Sequence, residues 1–521
     1  MTELTTQEAI LTKLQEPYGT YREIIHGWAE VRADKPALRD ENVTLTWREV
    51  ADRVERIAFR LQQTGLQQGQ SVAILGTSTA NYALVFLAAV VAGGVAAPLT
   101  TSASPAQLEG MAKDSGARHL FIDRAKLAEL GDGFMSGLDR IVLDEELDEW
   151  MAPEGEVSSP FIPRGDEPFN IIYSSGTTGI PKGIVHSHKM RWFQFAPTAG
   201  RAYSPEAKAL ASTPLYSNTT MVCFLSSVLA GACTTIMGKF DTRKWLETAQ
   251  RDGTTHTMLV PVQYQRLMDE PAFDDFDLST LALKYCTSAP FSAELKAQVV
   301  GRMPGALIEI YGMTEGGVTC LLYAHEHPTK LHTVGQPAPG HALKVLDDHD
   351  REVPAGTPGN LVGISPAMMV GYKNREAATQ ESLWTNPEDG SVWMRMGDIG
   401  RIDEDGFVEL VGRAKDMIIS GGFNIYPVDL ENELLKEAGV TEAAVIGVPS
   451  AKWGESPIGF VTLDPDAGTS TEIVMASVNN RLGKTQRLAQ LHLIDEMPRS
   501  HIGKLLKTEL RQRAEKIGLP D

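Results

Sequence analysis

Tyr173–Gly183 reads YSSGTTGIPKG and stands between FNIIY and GIVHSH, two runs of strand character. The stretch gathers the hydroxyls of Ser174, Ser175, Thr177 and Thr178, the glycines Gly176 and Gly179, and Lys182 into one connecting loop. Small residues let backbone N–H groups crowd a polyphosphate, hydroxyls donate to its oxygens, and the lysine supplies the counter-charge. Ser, Thr and Gly also dominate ordinary turns, but a plain surface turn leaves the lysine and the density of donors unexplained. A nucleotide-triphosphatase P-loop requires G-x-x-x-x-G-K-[ST]. Here Pro181 stands five residues after Gly176 and Gly183 follows the lysine, so that reading fails. The loop reads as built for triphosphate, and the alternation of strands and helices around it predicts a layered α/β body.

The surrounding chain agrees. Thr46 with Glu49 makes a capping box, and Val50, Val54, Ile57 and Leu61 recur at helical spacing before Gly65 closes the segment. Short strand candidates, SVAIL (Ser71–Leu75), HLFI (His119–Ile122) and TTIM (Thr234–Met237), alternate with helical stretches. From about Gly335 to Gly412 short apolar runs punctuated by Pro and Gly predict a small β-rich subdomain. Beyond Gly412, AAVIGV and IGFVTL mix with helical segments in an α+β unit. The expected boundary lies near Lys415, with an N-terminal domain over 1–414 and a small C-terminal domain over 415–521.

Composition narrows the functions. Forty-eight Lys plus Arg against 67 Asp plus Glu give a net charge of -19, which opposes nucleic acids and anionic membranes as partners. Any anionic substrate must meet a local cluster of donors. Cys223, Cys233, Cys286 and Cys320 lack CxxC spacing and read as buried free thiols. The apolar run Ala83–Ala92 is about half of a bilayer span and reads as a buried helix. No basic leader opens the chain, and a cytoplasmic setting is expected. Oligomeric state is open, with a homodimer as one outcome.

Further motifs follow in order: PLYSN (Pro214–Asn218), TSAP (Thr287–Pro290), IYGMTEGG (Ile310–Gly317), MGDIGRIDEDGF (Met396–Phe407), GRAKDMIISGGFNIYPVDLE (Gly412–Glu431) and PRSHIGKLLK (Pro498–Lys507). With the phosphate loop, this series resembles the adenylate-forming superfamily of acyl-coenzyme A synthetases, nonribosomal adenylation domains and firefly-type luciferases, over essentially the whole chain. The resemblance implies that Ser174, Ser175, Gly176, Thr177, Thr178, Gly179 and Lys182 hold ATP phosphates. It implies that Tyr311 and Gly312 pack on adenine opposite Ser288, Ala289 and Pro290, and that Asp398 takes the ribose with Arg413 beside it. Thr314 would donate to the α-phosphate, Glu315 with Thr178 would hold Mg²⁺, and Lys504 would bridge acyl oxygen and adenylate. Gly421, Gly422 and Phe423 would wall the coenzyme A tunnel, and Lys415 would be the hinge.

The implied reaction has two steps: a carboxylic acid and ATP give acyl-AMP and pyrophosphate, then the thiol of CoA takes the acyl group and AMP leaves. Candidate acyl-pocket residues are Tyr216, Ser217, Asn218, Tyr264, Met313, Gly317 and Val318. Many members place His where Ser217 stands, which questions the usual ring-gated pocket. The mixture is chiefly apolar and favours an aromatic or medium-chain monocarboxylic acid over a dicarboxylate, which would want a dedicated Arg. A stand-alone domain loading an amino acid onto a carrier protein is the nearest rival, but such domains place an Asp near the PL-aromatic motif, where this chain has Ser217 and Asn218. A luciferase-like oxygenase would differ only in light output. A silent binding paralogue would have lost Lys504, Glu315 or Lys182, and none is lost.

Overall fold

The computed structural model describes residues 4–174, 181–420, 423–450, 453–483, 486–500 and 503–518. The chain divides into two compact units, the first comprising Met1–Leu331, Pro337–Ala342 and Ile364–Met394, the second His332–Gln336, Leu343–Gly363 and Arg395–Asp521.

The first unit holds two sheets. One is seven-stranded, in the order Gly371–Tyr372, Lys182–Ser187, Pro168–Ser174, Val95–Pro98, Ser71–Leu75, His119–Ile122, Asp139–Val142. Strand Ser71–Leu75 shows why its apolar run is continuous: Val72 and Ile74 enter one core cluster, while Ala73 and Leu75 enter another. Successive side chains point to opposite faces, so a strand covered on both sides has no polar register. The second sheet runs from Gly316–Tyr323 through Ala306–Met313, Leu283–Cys286, His256–Leu259, Lys208–Ala211 and Cys233–Ile236 to Pro36–Arg39 and Thr44–Thr46. Its inner pairs are parallel, and the two outer pairs named, Ala306–Met313 with Gly316–Tyr323 and Pro36–Arg39 with Thr44–Thr46, are antiparallel.

One large core joins strands of both sheets to helices Tyr21–Val31, Trp47–Gln63, Ala80–Val91, His188–Arg201 and Asn218–Ala230. Helix Trp47–Gln63 starts where the sequence says it should, with Thr46 and Glu49 exchanging both hydrogen bonds of the capping box. The apolar run Ala83–Ala92 is a buried helix, Ala80–Val91. Among the described residues no helix is long and apolar enough to cross a membrane. Cys223, Cys286 and Cys320 are buried, and all four cysteines are free.

In the second unit, strand residues Asp398–Ile402 pair antiparallel with Val408–Arg413. A further sheet runs Phe423–Ile425, Ile418–Ser420, Gly454–Leu463, Val440–Ser450, with Gln490–Leu493 parallel to Gly454–Leu463. Alternation again sorts its faces: Val445 packs with Leu430, Leu434, Val474 and Val478, whereas Ala444, Ile446 and Val448 pack with Leu510 and Ala514. The paired strand segments Asp398–Ile402 and Val408–Arg413 fall within this same unit, ahead of residue 415.

Candidate active site

In the first unit, strand Pro168–Ser174 and strand Lys182–Ser187 pair antiparallel, with Ser174 opposite Lys182. They present the two ends of the phosphate loop. Ser175, Gly176, Thr177, Thr178 and Gly179 lie outside the described residues. Lys182 is aimed by its surroundings: its Nζ stands 4.9 Å above the Tyr372 ring, and the Lys373 amide donates to Gly183 O at 2.7 Å. The same Tyr372 donates its hydroxyl to Glu315 Oε1 at 2.8 Å. Burial and the adjacent Glu315 carboxylate raise the phenol's pKa, so Tyr372 remains a donor. One tyrosine thus joins the lysine of the phosphate loop to the carboxylate of the TEG motif.

Thr314 and Glu315 form the two-residue turn between Met313 and Gly316, which face each other across a hairpin. Gly316 and Gly317 both have positive φ, +96° and +80°. At Gly316 a Cβ would stand 1.9 Å from Ala367 O, so no side chain fits. The turn is held from behind as well, since the Met369 amide donates to Glu315 O at 2.8 Å. Tyr311 lies on the preceding strand, nearly buried, with Gly312 exposed beside it. Across from them, Thr287 Oγ1 donates to Ile310 O at 2.6 Å, tying TSAP to that strand. Ser288 adopts φ +82°, a left-handed conformation that a non-glycine residue rarely takes outside turns and binding sites. Its hydroxyl bonds Thr219 Oγ1, Ala289 is half-buried and Pro290 is exposed.

The acyl-pocket candidates lie on or beside several elements. Ser217 caps helix Asn218–Ala230, and Tyr216 and Asn218 are part-exposed on either side of it. Met313 packs on Ile184, Met369 and Met394. Tyr264 is wholly buried, stacked on Phe291 at 5.5 Å, with its hydroxyl donating to Tyr285 O. Val318 is 1% exposed.

Sequence reading missed what lies beneath Asn218. Arg191, on helix His188–Arg201, is fully buried and donates from Nε to Asn170 Oδ1 at 2.8 Å, from Nη1 to Gln194 Oε1 and Asn218 Oδ1 at 2.9 and 2.8 Å, and from Nη2 to His186 Nδ1 at 2.9 Å. Guanidinium only donates, so His186 Nδ1 accepts and its Nε2 carries the proton, donated to Thr314 O at 2.8 Å. Burial, and then the neighbouring Arg191 charge, depress the His186 pKa far below its ordinary value, so this tautomer persists. The available signal was Arg191 sharing an apolar helix stripe with His188, Phe195 and Ala199.

The second unit assembles its own cluster. Asp398 is 8% exposed and its Oδ1 lies 3.1 Å from Arg413 Nε. Lys415 sits in the short turn Ala414–Asp416, and Asp416 accepts from Arg511 at 2.9 Å. Lys504 follows Gly503, with its amide donating to Ser500 Oγ and its carbonyl accepting from Ser500 N. Burial lowers the Lys504 ammonium to about 8, Arg413 and Lys415 add repulsion, and Asp398 and Asp416 partly offset them. A chain of net charge -19 thereby gathers cations where an anion is expected. Phe423 is 62% exposed, and Gly421 and Gly422 lie outside the described residues.

The donors fit a hard divalent cation. Such an ion keeps waters, takes substrate phosphates, and needs only one or two protein carboxylates, and the Thr314–Glu315 turn offers one held in place by Tyr372. Among the described residues no group of three or more His, Cys, Asp or Glu could hold a metal by itself.

Comparison with known proteins bears on the whole chain. Residues 25–373 match the family model of the AMP-binding enzyme, and residues 429–504 that of the AMP-binding enzyme C-terminal domain. Among curated relatives, a feruloyl-CoA synthase of an Amycolatopsis species is 33% identical, covering 92% of this chain and 95% of that protein. The fatty acid–[acyl-carrier-protein] ligase ScoC of Streptomyces coeruleorubidus is 30% identical, covering 92% and 93%. A crystal structure of ATP-bound MatB from Rhodopseudomonas palustris superposes with a TM-score of 0.84 at 27% identity, covering 95% of this chain and 99% of that one. The ordered motifs, the layered fold and a family match spanning more than half of the sequence agree, and the chain belongs to the AMP-binding enzyme family.

Proposed function

We propose that the chain ligates an aromatic or medium-chain monocarboxylic acid to coenzyme A in two steps, with AMP and pyrophosphate as products. The observation that carries this reading is the meeting of Lys182, Tyr372 and Glu315 at the mouth of the phosphate loop. A carboxylate must approach an ATP that already bears negative charge, and charge concentrates at the α-phosphorus as the bond to the acid oxygen forms and the bond to pyrophosphate breaks. Lys182 and the loop donors bind the leaving β,γ pair, and Thr314 donates to the α-phosphate. Glu315 with Thr178 would hold Mg²⁺, which neutralises phosphate charge when bound. Lys504 donates to the forming acyl-phosphate oxygen. Asp398 and Arg413 take the ribose, and Tyr311 with Ser288, Ala289 and Pro290 flanks adenine.

In the second step the thiol of CoA attacks the acyl carbon and AMP departs, with Gly421, Gly422 and Phe423 along the thiol's path. Lys415 is the hinge of a mobile portion spanning 415–521, which serves one half-reaction and then the other. The names of the relatives support both an aromatic and an aliphatic acid, and ScoC supports a second acceptor, a carrier-protein thiol. Four free cysteines suit a reducing, cytoplasmic setting. Purified protein should be given ATP, Mg²⁺ and a panel of aromatic and aliphatic acids, with CoA or a phosphopantetheinylated carrier protein. AMP and pyrophosphate with CoA thioester are expected. ADP and phosphate would overturn adenylation, and thioester with the carrier alone would replace CoA as acceptor.

A further inference from the structure

We infer that Arg191 and Asn218 set the acid specificity of this site: the buried guanidinium turns the Asn218 amide so that its NH₂ faces the acyl group, selecting acids with a hydrogen-bond-accepting oxygen remote from the reacting carboxylate. The inference rests on the acid-activating reading and on Asn218 as an acyl-site residue.

Arg191 is fully buried, yet among the described residues it has no carboxylate partner. Buried charges are ordinarily paired, so a guanidinium surrounded by neutral acceptors needs another account. Its four hydrogen bonds end on Asn170, Gln194, Asn218 and His186. Because guanidinium has donors only, each amide must present its oxygen to it and its NH₂ elsewhere. At Asn170 that demand leaves Nδ2 buried without a partner, which shows the guanidinium's orientation prevailing over the amide's own needs. At Asn218 the outcome differs, because this side chain is part-exposed at the first residue of its helix, next to Tyr216 and Ser217. Its NH₂ is therefore a fixed donor at the surface of the PLYSN segment, backed by a buried positive charge.

The position suits the far end of an acid. From the Thr314 carbonyl, a chain of hydrogen bonds runs through the His186 imidazole and the Arg191 guanidinium to Asn218, so the same buried residues that hold the Thr314–Glu315 turn also fix the donor. An apolar pocket with one oriented donor accepts an ether or phenol oxygen there. A hydrocarbon of the same shape would leave the amide desolvated and unpaired, which is the stronger basis of discrimination.

The test compares acids of one shape. Phenylpropenoic acids bearing methoxy at the 3- or 4-position are assayed against their ethyl isosteres, with 4-carboxyphenylpropenoic acid as the anionic arm. The readout is the ratio of kcat/KM within each pair, which general damage to the fold lowers equally in both members and leaves unchanged. The wild type should favour the methoxy acid at one position by at least about 10-fold. Asn218→Leu should bring that ratio to within about threefold of unity. Asn218→Asp pairs with Arg191 and presents only acceptor oxygens, so it should favour the ethyl acid and reject the carboxy acid most strongly. Arg191→Met should lose the preference and also lower kcat for every acid, because His186 no longer holds Thr314. Should Arg191→Met fail to fold, the Asn218 variants decide alone. Equal use of methoxy and ethyl acids by the wild type, or a preference retained in Asn218→Leu, overturns the inference. Absence of AMP release with every acid, here and in the wider panel, would instead overturn the acid-activating reading.

Discussion

Replacing Arg413 by Gln should move the alkaline limb of acid adenylation to higher pH. In the proposed role Lys504 acts while protonated, so its contribution is full below its pKa and lost above it. Burial, then the Arg413 and Lys415 charges, hold that pKa at about 8 rather than 10.5. The profile of kcat/KM for the acid reports the free enzyme, and in the wild type it should fall about tenfold per pH unit above pH 8. Arg413→Gln removes one repelling cation, while Asp398, whose Oδ1 lies 3.1 Å from Arg413 Nε, continues to attract the Lys504 ammonium. The change favours the charged form. A single charge at the edge of a protein is worth about 1 kcal/mol, so the limb should rise by about half a unit to one unit. The assay is pyrophosphate release between pH 6.5 and 10.5 at subsaturating acid, read for the position of the limb rather than its height. Thioester formation from supplied acyl-adenylate should show no such limb, because in the proposed cycle Lys504 serves only the first step. Lys504→Ala should lose about 10²–10³-fold in adenylation and flatten the profile. A wild-type limb above pH 10, or a limb that moves down in Arg413→Gln, would refute the assignment.

Lys415→Pro fixes φ at the proposed hinge, whose backbone angles would change between half-reactions, so adenylation should continue while thioester formation stops; equal loss of both argues against a hinge. Gly316→Ala puts a methyl 1.9 Å from Ala367 O at φ +96°, and displacement of Glu315 should cut kcat/KM for ATP by about 10² or more. Gly69→Ala, also at positive φ but with nothing within 4 Å of the new Cβ, should leave activity within about twofold. At Glu55, burial alone would raise the pKa, but hydrogen bonds with His26 and Ser158 and the Arg22 guanidinium outweigh it and hold the carboxyl at about 2. That stability is present above the ordinary value of 4.5 and lost as pH falls toward 2. Glu55→Gln should therefore cost about 3 kcal/mol at pH 7 and progressively less at pH 3. A melting-temperature difference that stays constant with pH would contradict this.

The sequence by itself determined what depends on neighbours along the chain. The hydroxyl- and glycine-rich loop with Lys182, the capping box at Thr46, the buried strand SVAIL and the order of motifs are all set by residues a few positions apart, and they suffice for the layered fold and the family. Tertiary structure decided what depends on residues meeting from afar. Tyr372 joins Glu315 across 57 positions and His186 joins Thr314 across 128, pairings no local spacing announces. Tyr264 reads as a pocket aromatic, yet its hydroxyl is bonded to Tyr285 O and its ring is stacked on Phe291, so it is wholly buried. Arg191 shows the limit most clearly. In sequence it is one more helical cation, and only burial makes it consequential, because a guanidinium removed from water imposes its donors on every amide around it.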